Sequence, residues 1–128
     1  MAEIKWKSFA KTSPDREYLA LISYLPLNRF WMLPKFLIYT RGIQTQLSES
    51  KGIIGYSFLA HFLSQRFWTL SVWEDEKSLM EFVQILPHSR AMVALRSHMG
   101  KTKFVQWKIK GSAIPPTWEE GFRQLQTS

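Results

Sequence analysis

The sequence predicts an α+β domain in which helices cover an antiparallel sheet, and three observations lead to this prediction. The hydrophobic period switches repeatedly between that of strands and that of helices. Two strand-like runs are separated by a turn-like segment of only four residues, as in an antiparallel hairpin. The 128 residues contain no cysteine and are 45% hydrophobic, so a single domain can hold a core without disulfides or metals.

The first predicted strand is residues 18–25, an apolar and aromatic run that ends before Pro26. The first helix follows, with an apolar stripe at spacings of three and four residues. Pro34 fits its first turn, where a missing N–H costs nothing. A polar turn over 48–52 ends this helix. The stripe consists of Leu33, Phe36, Leu37, Thr40, Ile43, Gln44 and Leu47.

An antiparallel hairpin is expected next, formed by residues 53–62 and 67–73 around a turn at 63–66. Asp75 then caps a second helix, which Pro87 ends. The apolar stripe of this helix is Leu79, Phe82, Val83 and Leu86.

A third short helical stretch begins at His88, and residues 103–109 alternate as the last strand. Thr117 and Glu120 form a capping box, which predicts a small helix over 118–125. The expected division of the chain is a basic lead-in over 1–17, a domain over 18–110 and a tail with a short helix over 111–128.

The order strand, helix, strand, strand, helix, strand is that of a ferredoxin-like βαββαβ fold. The two helices cover one face of such a sheet, and a second subunit, a ligand or a nucleic acid must cover the other. We expect Leu70 and Val72 to point toward the helices. Because neighbours in a strand alternate, the open face then carries Phe67, Thr69, Ser71 and Trp73. For the preceding strand, alternation does not decide which set of residues shares the open face.

The net charge of +7 raises the question of an anionic partner. Basic residues are scattered along most of the chain, and the acidic residues of 74–81 interrupt them. One basic run contains no acid, and it is either a solvated face or a surface that attracts an anion. This run consists of Arg90, Arg96, Lys101, Lys103, Lys108 and Lys110.

Several function classes are poorly supported. Without cysteine the chain has no thiolate chemistry, no cysteine-ligated zinc and no iron–sulfur cluster. Gly-rich phosphate loops, HExxH motifs and Gly-x-Ser-x-Gly elbows are also absent. An RNA-recognition module shares the βαββαβ order, but its third strand requires two glycines that residues 66–73 lack. We therefore expect no nucleic-acid partner.

The sequence also bears on location. No apolar run approaches the ~20 residues that a membrane-spanning helix needs. Lysines precede the first apolar run, as in a signal peptide, but the charged residues 15–17 separate the two and no small-residue cleavage site follows. We expect a cytoplasmic protein whose contact with a membrane is at most peripheral.

The segment FWTLSVWED at 67–75, the amphipathic helix after it and PHSRAM at 87–92 carry a family resemblance. Together they resemble the dimeric α/β-barrel superfamily that includes the antibiotic biosynthesis monooxygenases. Within it, the likeness is to proteins related to spheroidene monooxygenase and to small uncharacterised bacterial proteins. The resemblance extends over about residues 18–109, most of the chain.

This resemblance implies a homodimer in which two four-stranded sheets close face to face into a dimeric α/β barrel. It also implies a pocket between the sheet and the helices of each subunit. Some members bind or degrade haem through a histidine in the helical region, and others oxidise quinol-like aromatics without a cofactor. The tryptophan and histidine of the haem-degrading members fall at Phe82 and Met92 here, so that activity is not carried over.

His88 is the best candidate for chemistry. Neutral imidazole is a common iron ligand and proton carrier, and the stripe that begins at His88 places it toward an apolar cavity. The alternative is a helix-terminal histidine that bonds to its own first turn. Arg90 and Arg96 match haem propionates or another carboxylate, or are simply solvated. We expect structural roles for His61 and His98.

Aromatic side chains would suit a flat hydrophobic ligand by stacking, although the same residues also suit a core. The function favoured is a monooxygenase-like protein that acts on a bulky apolar or aromatic substrate, with or without haem. The alternative is a non-catalytic dimer that binds haem or a hydrophobic ligand. The expected ligand-binding residues are Trp31, Phe36, Trp73, Phe82, Arg90 and Met92, with His88 as catalytic residue or haem-iron ligand.

Overall fold

The computed structural model describes residues 2–84 and 98–127. Short 3-10 turns precede the first helix and follow the last strand. The strands are β1 Ala2–Ser8, β2 Glu17–Pro26, β3 Ile53–His61, β4 Arg66–Trp73 and β5 Lys103–Lys110. The helices within these ranges are α1 Leu33–Glu49, α2 Glu76–Gln84 and α3 Trp118–Thr127.

All five strands form one antiparallel sheet in the order β1-β3-β4-β2-β5. The four strands expected from the sequence are adjacent in it, and β2 lies between β4 and β5 as the ferredoxin-like order requires. The predicted α+β fold class is therefore confirmed. The dimeric barrel stays a prediction.

Strand β1 lies in the segment 1–17, for which the sequence predicted a basic lead-in and no strand. It pairs with β3 at the edge of the sheet. Its alternation of Ile4 and Trp6 with charged residues is weak as a strand signal, and exposed lysines are typical of an edge strand. A Cβ on Gly55 would lie 2.3 Å from Trp6 Cζ2, so glycine is what lets the indole lie against β3.

Helices α1 and α2 cover one side of the sheet, which we call the crossover face. Leu47 of α1 and Leu79 and Phe82 of α2 form a buried cluster there with Tyr56 and Trp73. A second cluster lies toward the start of α1, where Phe36 stacks on Phe67 with ring centroids 4.3 Å apart. On β4 the crossover face therefore carries Phe67, Thr69, Ser71 and Trp73.

The other side of the sheet, which we call the tail face, faces α3. Leu70 packs with Ile22 and Val105 under α3, and Val72 packs with Tyr18 and Ile109. The expectation that Leu70 and Val72 point toward α1 and α2 is wrong. Alternation separates the residues of β4 into two sets, but both sets are apolar enough for a core, so the pattern alone did not decide which set the crossover helices cover.

Helix α3 covers part of the face that we expected the chain to leave bare. Trp118, Phe122 and Leu125 pack on it. The helix approaches closely at Gly121, where an added Cβ would lie 2.7 Å from Ile22 Cδ1. That expectation is also wrong, because the predicted terminal helix folds back over β2 and β5.

The predicted helix caps are confirmed. The backbone N–H of Ser78 donates to Asp75 Oδ1 at 2.8 Å, and that of Glu120 donates to Thr117 Oγ1 at 3.1 Å. Pro34 lies in the first turn of α1. The helical stretch expected from His88 lies outside the described residues. Among 2–84 and 98–127, no helix is long and apolar enough to cross a bilayer, and the cytoplasmic location stays a prediction.

Candidate functional site

The crossover face carries a buried indole that is tied to a buried hydroxyl. Trp73 has no exposed surface, and its Nε1–H donates to Ser71 Oγ at 3.0 Å. The two residues are separated by one position of β4, so both side chains point to the same face. Because Ser71 Oγ accepts this hydrogen bond, its hydroxyl proton is directed elsewhere.

More hydroxyls lie beside this pair. Ser23 of β2 is directly opposite Thr69 of β4, and Tyr56 of β3 is directly opposite Ser71. Ser23, Ser71 and Tyr56 are buried, and Thr69 is half-buried. We call Ser23, Thr69 and Ser71 the hydroxyl row.

The two helices above the hydroxyl row are joined by a buried polar contact. Gln46 Nε2 of α1 donates to the carbonyl oxygen of Phe82 in α2 at 3.0 Å. The ring of Phe82 lies 5.2 Å from that of Trp73, with 41° between the planes. The amide of Gln46 thus helps to hold the aromatic side chain that covers Trp73.

The structure brings together two of the predicted ligand-binding residues and separates two others from them. Trp73 and Phe82 are in direct contact. Phe36 belongs to the cluster around Phe67, toward the other end of β4. Trp31 is 64% exposed, and its ring lies 5.7 Å from the guanidinium carbon of Arg29.

The remaining predicted site residues, His88, Arg90 and Met92, lie outside the described residues, as does Arg96. Their roles stay predictions. The candidate site within the described residues therefore consists of the hydroxyl row and Trp73.

The two described histidines lie far from Trp73. His61 pairs with Arg66 at the start of β4, whereas Trp73 ends that strand, roughly 23 Å away for seven steps along a strand. His61 Nδ1 is 2.6 Å from Ser64 Oγ, so its ring is engaged in the hairpin turn. The carbonyl oxygen of His98 accepts a hydrogen bond from the backbone N–H of Asn28. Asn28 comes shortly after the last residue of β2, which pairs with Arg66, so His98 lies at the same end of the sheet as His61.

Neither His61 nor His98 is therefore close enough to Trp73 to ligate a haem iron there. Within residues 2–84 and 98–127, no cluster of three or more His, Asp or Glu side chains is spaced to hold a metal ion. Beside Trp73, the described residues offer hydroxyls that can hydrogen-bond, surrounded by apolar side chains.

One carboxyl has a shifted pKa, and it lies at the N-terminus of α2. The backbone N–H of Ser78, and then the hydroxyl of the same residue, hold the pKa of Asp75 below its usual value. The carboxylate of Asp75 is exposed and is used as the helix cap. We assign it a structural role.

A shallow depression of about 540 Å³ lies on α3. Arg123 on its wall pairs with Glu120 at 2.9 Å. The side chains that line it are exposed or half-buried, so it offers no desolvated polar group. Its lining residues are Glu119, Phe122, Arg123 and Gln126.

Sequence reasoning missed Gln46 and Ser23 as parts of the site. Gln46 is adjacent to the last stripe residue, Leu47, and the spacing of the stripe gives no signal that it is buried. A signal for Ser23 was available, because a serine inside the apolar strand 18–25 needs a partner when it is buried. Ser71 was singled out, but on the wrong face.

Comparison with known proteins finds similarity at the level of structure and not of sequence. No family model matches the sequence, and no curated protein matches it. Solved structures do match. SnoaB, a cofactor-independent oxygenase from Streptomyces nogalater, superposes with a TM-score of 0.59 at 10% identity, over 72% of this chain and 92% of that one. An antibiotic biosynthesis monooxygenase superposes with a TM-score of 0.63 at 13% identity, over 70% and 95%. The chain has the fold of the antibiotic biosynthesis monooxygenases.

A conserved protein from Methanosarcina mazei Go1 shares the same fold, with a TM-score of 0.62 at 13% identity over 70% of this chain and 90% of that one. The resemblance expected from the segment at 67–92 is thus confirmed at the level of the monooxygenase-like fold. The narrower likeness to spheroidene monooxygenase stays a prediction.

Proposed function

We propose that the protein is a monooxygenase that oxidises a bulky aromatic substrate, bound between the crossover face and the two helices, without a resident cofactor. The observation that carries the proposal is the Trp73–Ser71 pair with its hydroxyl row, enclosed by aromatic and aliphatic side chains. The fold shared with the cofactor-independent oxygenase SnoaB supports it.

A phenolic substrate suits such a site because it supplies its own electrons. Once ionised, an electron-rich phenol reduces O₂ directly. A C–O bond forms at a ring carbon, and protonation of the outer oxygen gives a ring hydroperoxide. Loss of water from this hydroperoxide breaks the O–O bond and the ring C–H bond. One phenol and one O₂ thus give one quinone and one water, with four electrons passing from the substrate to O₂.

In this proposal the hydroxyl row stabilises the phenolate. The indole N–H of Trp73 occupies an acceptor site of Ser71, so the Ser71 hydroxyl proton turns toward the substrate oxygen. A hydrogen bond to an anion is stronger in a site from which water is excluded. Ser23 and Thr69, which are opposite each other on the same face, are the further donors in this proposal. His88 is the proposed proton acceptor.

The test compares two buried serines on opposite faces of the sheet. Ser71→Ala removes the donor on the crossover face, and Ser57→Ala removes a serine of similar burial beside Leu70. With naphthols and hydroquinones as substrates, we expect Ser71→Ala to lower kcat/KM by roughly 10- to 100-fold. Ser57→Ala should leave it within about twofold.

Oxygen consumption and incorporation of ¹⁸O from ¹⁸O₂ into the quinone are the measurements. Ser71→Thr keeps the hydroxyl and should retain most of the activity, which separates loss of the donor from loss of packing. Absence of turnover by the wild-type protein, or equal losses in the two alanine variants, would remove the proposal.

The haem-dependent version predicted from the sequence rests on His88. It is tested by titrating the protein with haem beside His88→Ala. A saturable Soret band that weakens in His88→Ala would replace the cofactor-free proposal by a haem-dependent one. Binding of haem or of an apolar ligand without product would select the non-catalytic alternative.

We also propose that the protein is a homodimer. Helix α3 lies over β2 and β5, and Leu59 of β3 stays half-exposed on the same tail face, as does Trp6. A second copy would cover this remaining apolar surface.

A further inference from the structure

An exposed apolar cluster lies at one end of the molecule. Phe30 and Trp31, in the turn before α1, are 72% and 64% exposed. Phe62 and Leu63, at the tip of the β3–β4 hairpin, are 41% and 95% exposed. We call these four residues the apolar tip.

Hydrogen bonds join the two loops that carry the apolar tip. The backbone N–H of Leu27 donates to the carbonyl of Gln65 at 2.8 Å, and Gln65 Nε2 donates back to the carbonyl of Leu27 at 3.0 Å. The ring of Phe62 packs edge-on against Phe67 at 5.9 Å, which in turn stacks on Phe36 of α1. The loops are thus held as one surface by the core beneath them.

The two chain segments that carry the apolar tip are basic. No acidic residue occurs between Glu17 and Glu49, or between Glu49 and Glu74. Those two intervals contain the whole apolar tip. The exposed cations that flank it are Arg29, Lys35 and Arg66.

Acidic residues gather at the opposite end of the sheet. Glu17 begins β2, and Glu49 ends α1. Glu74 follows the last residue of β4, where its backbone N–H donates to the carbonyl of Gly52. The opposite end carries both signs of charge, since Arg16, Lys51 and Lys110 lie beside these acids. The loops of the apolar tip, by contrast, carry cations without acidic residues.

Exposed tryptophan, phenylalanine and leucine beside arginine and lysine match the interface of a bilayer. Aromatic rings are favoured at the level of the headgroups, and basic side chains extend along apolar surface to reach anionic phosphates. A nucleic acid would engage the cations but would leave Leu63 and Phe62 in water. The combination of both features favours lipid.

We propose that the apolar tip docks the protein onto an anionic membrane surface, with Arg29, Lys35 and Arg66 on the lipid phosphates. This inference does not depend on the proposed oxidation. In this orientation the hairpin end of the sheet faces the membrane, and the end that carries Glu17, Glu49 and Glu74 is directed away from it.

The test is flotation of the full chain with vesicles. We expect binding to phosphatidylcholine vesicles that contain about a third phosphatidylglycerol, weak binding to pure phosphatidylcholine, and weakening by 0.5 M salt. Each cation near an anionic surface contributes roughly fivefold to binding. Arg29→Glu combined with Arg66→Glu removes two cations, so it should lower the partition coefficient between vesicle and water by at least about 25-fold. The matched control is Lys5→Glu with Lys7→Glu on β1, which changes the net charge equally.

A second pair of variants isolates the apolar contribution. Leu63→Ser with Trp31→Ser should lower the partition coefficient at least fivefold, whereas Met80→Ser, an exposed apolar residue on α2, should not. Circular dichroism and thermal melts check that every variant is folded.

Three results would overturn the proposal. The first is failure of the wild-type protein to float with anionic vesicles. The second is an equal loss in the Lys5/Lys7 variant, which would indicate diffuse charge attraction. The third is dissociation of an oligomer by the Leu63/Trp31 variant without any change in vesicle binding, which would make the apolar tip a contact between protein chains.

Discussion

At the level of single residues, the sequence predicted which side chains of β4 share a face, but not which layer that face meets. The residues Thr69, Ser71 and Trp73 could be grouped on one face, because alternation in a strand is a local property. Which layer this face meets depends on how distant elements pack. Trp73 lies under α2 because Phe82 reaches it, and that contact spans nine positions of the chain.

The cap of α2 gives a prediction at the same scale. The pKa of Asp75 is held below its usual value by the backbone N–H of Ser78, so protonation of Asp75 is less favourable in the folded state than in the unfolded state. Its folded pKa is lower than its unfolded pKa. The stabilisation is therefore present above the unfolded pKa of about 3.9 and is lost as the pH falls through the folded pKa.

We expect Asp75→Ala to melt below the wild-type protein at pH 7. Asp75→Asn should lie between the two, because asparagine still accepts the cap hydrogen bond without the charge. The difference in Tm between the wild-type protein and Asp75→Asn should shrink as the pH is lowered below about 4. A difference that does not vary with pH would argue that the charge of Asp75 plays no part.

At the level of elements, local signals predicted most helices and strands, and long-range packing explains the differences. Pro34, Asp75 and Thr117 each marked a helix start, because capping and proline geometry act within one turn. Strand β1 was missed because its charged residues hide the alternation. Its pairing with β3, some fifty residues away, is what orders it.

Helix α3 was predicted as an element, but its docking was not. Gly121 lets α3 approach the sheet, since an added Cβ would lie 2.7 Å from Ile22 Cδ1. Ile22 is fully buried and cannot move far. The amphipathic pattern of a ten-residue helix does not indicate which surface it will cover.

The close approach at Gly121 can be tested by substitution. Gly121→Leu should lower the free energy of unfolding by about 1–3 kcal/mol, because the larger side chain overpacks the contact with Ile22. Gln126→Leu, on the exposed side of α3, is the control and should change it by less than about 0.5 kcal/mol. Urea denaturation followed by tryptophan fluorescence measures both. Equal effects would show that α3 is loosely held.

At the level of the whole molecule, the proposed dimer depends on the tail face. The sequence led us to expect an interface that includes Ser71, but Ser71 lies under the helices, where an arginine would disrupt the fold rather than separate subunits. The surface available to a second copy is instead the part of the tail face that α3 leaves over β3. Leu59, directly opposite Trp68 in the β3–β4 pairing, lies in it.

Sedimentation equilibrium tests the assembly. We expect the wild-type protein to have the mass of two chains, and Leu59→Arg to shift it to that of one, because an unpaired charge in an apolar interface costs several kcal/mol. Leu37→Arg places the same charge on the exposed side of α1 and should leave the dimer intact. A wild-type monomer would refute the dimer. A dimer that survives Leu59→Arg would place the interface elsewhere, and α3 would then be the main cover of the tail face.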